Sequence, residues 1–412
     1  MKPSFPTRVV RRAALAPSAL CAIALATHAD VPELALPGPH PVGWMDVSIT
    51  GSAGDFVNGR VYYPALEAGN STDPAVGAGP FPLASFIHGA LVLPPDYDDL
   101  CGHIASHGWV LVSLGTSGTV QMESRHTKDL MHWLDDESQI DDSFFAGMVS
   151  AEHGWAAGGH SAGGGVLQRL VKKEPLITAA FALAPSFDPG DANGLPKYQG
   201  SLLVLVGDAD TTTPPDEDAH PYFVAAQATR RRIYIEAEGM GHDGPTDTPL
   251  GIFGSDMPWS VSHRWNKRLP TALLYAEILG VEDAYTVLLG EHIDTQPFAS
   301  IREADCASPA LWTCSSLTAE STLAVGLAGA AGDEAFVMVS AHASTLETPF
   351  GTFGLDPVAT TFLSVSDLDD RGWMELSAPL PSALSGHTFF LQGLRIGAGD
   401  AAFSATEAIA LP

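Results

Sequence analysis

Gly159-His160-Ser161-Ala162-Gly163 places a serine between glycines, where a short apolar strand pattern (Gly154 to Gly158) meets a helical one (Gly165 to Lys172). This is the Gly-x-Ser-x-Gly spacing in the strand–turn–helix setting it requires. Such a turn is too tight for side chains at the flanking positions. It pushes the Ser161 hydroxyl into open space, while the next helix aims its first amides at the same spot. The chemistry implied is nucleophilic attack on an acyl carbon, for which a serine needs a base. Downstream, the strand pattern Leu202 to Val206 runs into Gly207-Asp208-Ala209-Asp210, and Ile233 to Ile235 is followed by Gly241-His242-Asp243-Gly244. His242 is the expected base. Asp210 is the expected acid that orients it, with Asp208 as the alternative. His160 lies inside the elbow and points elsewhere, His88 precedes the expected oxyanion residue, and His220 lies in an acidic loop. Two backbone N–H groups must receive the oxyanion. Ala162 supplies one. Ala90, in His88-Gly89-Ala90 after the strand Phe81 to Ile87, supplies the other. No metal or cofactor is required by this chemistry. The run Asp216-Glu217-Asp218 reads as a solvated acidic loop rather than a calcium site.

The elements that must position these residues alternate between strand and helix. Met45 to Thr50 and Gly59 to Tyr63 read as early antiparallel strands. Phe81 to Ile87, Trp109 to Leu114, Gly154 to Gly158, Ala179 to Ala184, Leu202 to Val206 and Ile233 to Ile235 read as buried strands. Asp98 to Ser106, Arg125 to Glu137, Gly165 to Lys172 and Leu269 to Leu279 read as helices. The alternation predicts an α/β fold with a mostly parallel, doubly wound sheet. About sixteen residues, Pro185 to Gly200, separate two of the strands, too few for a large lid. The loop Asp243 to Trp265 carries Phe253, Met257, Trp259 and Trp265, which either wall a pocket or pack. From about Cys306 the chain turns rich in Ala, Thr, Ser and Gly, with short strand patterns. That predicts a small C-terminal β-sandwich.

The 412 residues carry a formal charge of −28. Lys2, Arg8, Arg11 and Arg12 precede the apolar stretch Ala13 to Ala26, and no acidic residue comes before Asp30. Residues 1–29 therefore read as a secretory signal, cut after Ala26 or Ala29. Its removal leaves 16 basic against 48 acidic residues, a balance of −32. Such a surface repels phosphate backbones, so no nucleic-acid partner is expected, and no other stretch reaches transmembrane length. In an oxidising compartment Cys306 and Cys314, eight apart, are expected to form a disulfide. Cys101, in a helical pattern, is expected to be a buried inert thiol.

With Ile87-His88-Gly89, His103-Ile104-Ala105-Ser106-His107-Gly108-Trp109, the elbow, Gly207 to Pro214 and Gly241-His242, residues 42–290 resemble the α/β-hydrolase superfamily. The nearer resemblance is to the chlorophyllase, platelet-activating-factor acetylhydrolase and polyester-hydrolase (cutinase-like) branch. It implies an α/β-hydrolase fold with Ser161 as nucleophile, Asp210 as acid, His242 as base, and Ala90 with Ala162 as the oxyanion hole. Polyester hydrolases of this kind usually carry an aromatic residue and a methionine where this chain has Ala90 and Ala162. The tail from Phe350 on, with Gly386-His387-Thr388-Phe389-Phe390-Leu391-Gln392 near its end, resembles β modules found at the C-termini of exported bacterial proteins. The expected organisation is a leader over 1–29, a catalytic domain over 30–298 and a β-sandwich over 299–412. The expected function is hydrolysis of small or polymeric carboxylic esters through an acyl-enzyme. The alternatives are an amidase, peptidase or acyltransferase on the same triad, or a non-catalytic exported binding protein.

Overall fold

Apolar runs of five to seven residues, bounded by glycine or polar turns, form the strands of a sheet covered on both faces. The computed structural model describes residues 33–150, 152, 154–190, 192–249, 255–290, 299–316, 322–379 and 386–410. The expected leader and Phe253 lie outside these residues. The strands are β1 (Val42–Thr50), β2 (Phe56–Pro64), β3 (Phe81–Ile87), β4 (Val110–Leu114), β5 (Trp155–His160), β6 (Ile177–Leu183), β7 (Ser201–Gly207), β8 (Arg231–Ala237) and β9 (Ala299–Cys306). Their order across the sheet is β9-β8-β7-β6-β5-β3-β4-β2-β1, extended by two-residue strands at Gly69–Asn70 and Val149–Ser150. Pairing is parallel from β4 through to β8 and antiparallel at both flanks, β1 with β2, β2 with β4, and β8 with β9.

The period of two along each strand assigns its side chains to two layers. On β7, Leu203 and Leu205 join Leu100 and Ile104 of α1 (Asp98–Ser106) and Trp265, Leu269 and Leu273 of a long closing helix (Trp259–Glu277). Leu202, Val204 and Val206 join Leu130, Met131 and Leu134 of α2 (Val120–Ser138) and Leu167 and Leu170 of α3 (Ala162–Lys173). The closing helix, α4, begins well before the expected Leu269. Pro270 inside it reads as a breaker in sequence, but packing of Trp265, Leu269 and Leu273 on the sheet carries the helix through. Likewise α2 begins at Val120, where the Thr119 hydroxyl caps the Met122 amide at 3.3 Å.

The tail folds as β10 (Ala310–Ser316), β11 (Thr322–Ala328), β12 (Glu334–Ser340), β13 (Ala343–Thr348), β14 (Gly351–Leu355), β15 (Thr361–Asp367), β16 (Trp373–Pro379), β17 (Thr388–Ile396) and β18 (Ala401–Ala410). A three-stranded sheet, β10-β11-β16, and a four-stranded sheet, β15-β12-β17-β18, share a core of Leu311, Leu323, Val325, Leu327, Val337, Leu391 and Ile409. The sequence-based division at 298/299 does not coincide with the sheet boundary. β9 pairs with β8 on the large sheet, and Ala310, Trp312 and Trp373 join the core layer of α1 and α4. The expected Cys306–Cys314 disulfide is also corrected. Cys306 carries a free, buried thiol at the end of β9, opposite Arg231, whereas Cys314 lies on β10 opposite Ala324 in a different sheet. The Cys314 side chain lies outside the described residues. Cys101 is a free, fully buried thiol on α1 that burial pushes well above its usual pKa, in line with an inert role.

A buried charge cluster holds the two parts together. The Arg231 guanidinium pairs with Glu277 of α4 at 3.2 Å and with Glu282 at 3.0 Å, and donates to the Ser308 and Pro309 carbonyls. Burial alone would raise the Glu277 carboxyl, but the charges of Arg231 and Arg230 hold it below its usual value. Replacing Arg231 by Met leaves Glu277 and Glu282 buried without this partner. The expected loss is about 3–5 kcal/mol, read from chemical denaturation. Because the folded pKa of Glu277 is depressed, its share of stability is present above the unfolded value and lost as pH falls through the folded one. A variant as stable as wild type would show that the cluster contributes nothing.

Candidate functional site

The strand β5 ends and α3 begins at Ser161, whose backbone stands at φ 54° and ψ −120°, a region that L-residues other than glycine rarely enter. A Cβ on Gly159 would collide with the Gly163 carbonyl, and one on Gly163 with the Ile87 carbonyl, so both positions need glycine. The turn is held by the Ser161 amide donating to the Leu183 carbonyl at 3.0 Å. The Ser161 carbonyl accepts from Gly165 N at 3.2 Å and Ser186 N at 2.9 Å.

Three residues far apart in sequence meet above the carboxyl ends of the strands. Ser161 Oγ lies 2.9 Å from His242 Nε2, and His242 Nδ1 lies 2.7 Å from Asp210 Oδ2. His242 follows β8, and Asp210 follows β7. Both are nearly fully buried, at 4% and 2% exposure, so the pair faces little competition from water. The carboxylate oxygen can only accept, which puts a proton on Nδ1 and leaves Nε2 to take the serine proton. Burial alone would raise the Asp210 carboxyl. The hydrogen bond and charge of His242, with the Thr213 and Thr212 amides, hold it below the usual carboxylate range. Asp208 stands apart from His242 and accepts the Gly239 amide at 2.7 Å, pinning the loop that carries His242.

The loop after β3 lies against the elbow, since a Cβ on Gly89 would come within 3.3 Å of Ser161 Cβ. Ala90 follows in an exposed turn, and Ala162 opens α3, so its amide stands at a helix N-terminus. Asp218 of the acidic run accepts the Phe187 amide at 2.7 Å. Of the expected loop residues, Met257 before α4 and Trp265 within it are buried in the core, and Trp259, at the first position of α4, stacks on His263, so these three pack.

Thr213 is a site residue that sequence reasoning missed. Its hydroxyl lies 3.0 Å from Asp210 Oδ2, 3.0 Å from the Ala184 carbonyl and 3.2 Å from His242 Nδ1. The signal was a hydroxyl residue three positions after an aspartate, the spacing of a side-chain-capped turn.

The profile of a family described as PETase, PET hydrolase-like, matches residues 27–261. Cutinase cut1 of Thermobifida fusca is 27% identical over 331 residues, covering 72% of this chain and 91% of its own. Cutinase 2 of Thermobifida cellulosilytica is 28% identical over 284 residues, covering 63% and 92%. Cutinase est1 of Thermobifida alba is 26% identical over 229 residues, covering 52% and 68%.

The two aspartates separate cleanly by substitution. Asp210→Asn should lower kcat for an ester by about 10⁴-fold, whereas Asp208→Asn should stay within about threefold of wild type. Equal losses in the two variants would reject Asp210 as the partner of His242.

Proposed function

The chain belongs to the PET hydrolase-like family, in the cutinase-like polyester-hydrolase branch of the α/β-hydrolases, and we propose that it cleaves esters through Ser161, His242 and Asp210. It is a carboxylic-ester hydrolase of polyesterase-like kind. The observation that carries the mechanism is the continuous contact from Ser161 Oγ to His242 Nε2 and from His242 Nδ1 to Asp210, at 2.9 and 2.7 Å, on a strained elbow.

Ser161 Oγ attacks the ester carbonyl carbon while His242 Nε2 takes its proton. Negative charge gathers on the carbonyl oxygen, where the Ala90 and Ala162 amides donate. The imidazolium, steadied by Asp210, returns the proton to the leaving alcohol, and an acyl-Ser161 remains. Water then gives a proton to His242, attacks the acyl carbon and releases the acid, and the proton returns to Ser161. The substrate class is a small or polymeric carboxylic ester. With Ala90 and Ala162 in place of larger side chains, the reading includes no aromatic clamp over the acyl group.

An open cleft is part of the proposal. The segment between β6 and β7 is short, and it tucks Leu195 and Tyr198 into the core with Gly194 against the α3 backbone. Such a segment leaves no large lid, so ester turnover should rise smoothly through the substrate's micelle threshold. A sharp jump at that threshold would argue for a lid. Export through the 1–29 leader is likewise proposed. No helix among the described residues is long and apolar enough to cross a membrane.

A fluorophosphonate probe should label wild type once per chain and leave Ser161→Ala unlabelled. Ester turnover of that variant should drop about a millionfold. A matched amide should react far more slowly than the ester, and a faster amide would make the enzyme an amidase.

A further inference from the structure

His160 adjoins the nucleophile in sequence, is buried, and bonds to the backbone of the base loop. Its Nε2 lies 2.9 Å from the His242 carbonyl, and its ring centroid 4.8 Å from that of His242. Its Nδ1 lies 2.7 Å from the hydroxyl of Tyr97, which stands just before α1 and has no exposed surface. The same hydroxyl lies 3.0 Å from the Gly89 amide. The directions of these bonds follow from the groups themselves. A carbonyl oxygen only accepts, so His160 Nε2 donates to His242. Burial holds the His160 imidazole neutral, with its pKa down to about 3, so Nδ1 has no proton and accepts from the Tyr97 hydroxyl. The Tyr97 oxygen in turn accepts the Gly89 N–H. The chain runs one way, from Gly89 through Tyr97 and His160 to His242, and uses every ring nitrogen and the hydroxyl proton.

Gly89 is held a second time. Its carbonyl accepts from His88 Nδ1 at 2.8 Å. In a trans peptide the C=O and the following N–H point in opposite directions, so fixing the Gly89 carbonyl also aims the Ala90 N–H. Tyr97 thus ties together two loops that the proposed mechanism needs in fixed relation, one presenting the oxyanion donor and the other presenting the base.

We propose that Tyr97, acting through His160, is a positioning residue that couples the oxyanion loop after β3 to the His242 loop after β8. This rests on the reading of Ser161, His242 and Ala90 given above. Neither Tyr97 nor His160 touches the reacting atoms. Their effect is to keep the donor and the base in register while charge moves between them.

Tyr97→Phe keeps the ring and removes the link. It should lower kcat on a soluble ester about tenfold or more while KM stays within about twofold. Fluorophosphonate should label the variant to the same final stoichiometry as wild type, but more slowly. His160→Gln keeps an N–H for the His242 carbonyl and should retain several times the kcat of His160→Leu. The coupling is overturned if Tyr97→Phe keeps kcat within about twofold, or if only KM changes. It is also overturned if the loss equals a loss of labellable sites, or if His160→Gln and His160→Leu are equally impaired. Failure of the underlying reading appears first and separately, as wild type that hydrolyses no ester and takes up no probe.

Discussion

One residue in a sparsely allowed backbone conformation sets the terms for the catalytic half of the molecule. Holding Ser161 at φ 54° costs roughly 1–3 kcal/mol. The turn persists because its surroundings determine it many times over. Glycines on either side admit the close backbone contacts, and three backbone hydrogen bonds anchor the Ser161 amide and carbonyl. β5 lies between β3 and β6 in the middle of the sheet, with Gly159 in register with Ile87 on one side and Ala182 on the other. Because these strands are parallel, the loops after β3, β7 and β8 all emerge at the same edge as the elbow. That is where an open α/β sheet gathers its functional groups. The Gly89-Ala90 loop, Asp210 and His242 gather around Ser161 for this reason, despite separations of tens of residues.

Charge is used in two different ways. The chain is strongly acidic, at −28, and among the described residues most carboxylates are not buried. The buried carboxylates Asp210 and Glu277 are both held below the usual carboxylate range, and each is met by fixed donors. At Asp210 the donors are two loop amides, the Thr213 hydroxyl and the His242 ring, an arrangement that orients an imidazole. At Glu277 they are two arginines and Tyr285, an arrangement that ties α4 to β8. Through Arg231 the same cluster reaches the carbonyls of Ser308 and Pro309, at the start of the tail. The large sheet and the β tail therefore share a polar cluster as well as an apolar core.

Ser161, Asp210 and His242 were legible in sequence because each sits in a local pattern with a physical cause. A serine between glycines marks a turn too tight for side chains. An aspartate and a histidine after apolar runs mark the ends of buried strands. The alternation of strand and helix was readable for the same reason, since burial on both faces leaves long apolar runs. Element ends were less legible. α4 extends through Pro270 because core packing outweighs one missing hydrogen bond, and no local signal reports that packing.

What the sequence determined by itself is therefore the candidate residues, their order, and the α/β character that brings them to one edge. The tertiary structure alone decided which aspartate faces His242, because Asp208 and Asp210 lie on one short loop, and there Asp208 accepts the Gly239 amide while Asp210 meets the His242 ring. It alone put β9 on the large sheet, because edge pairing depends on the open side of β8 and not on the composition of β9. That placement carried Cys306 into the core beside Arg231, on a different sheet from Cys314. It also decided the surroundings of His160 and Tyr97, 63 residues apart, whose hydrogen bond exists only because β3 and β5 are adjacent. Spacing records what is local along the chain, while contacts across strands are settled only when the sheet closes around them.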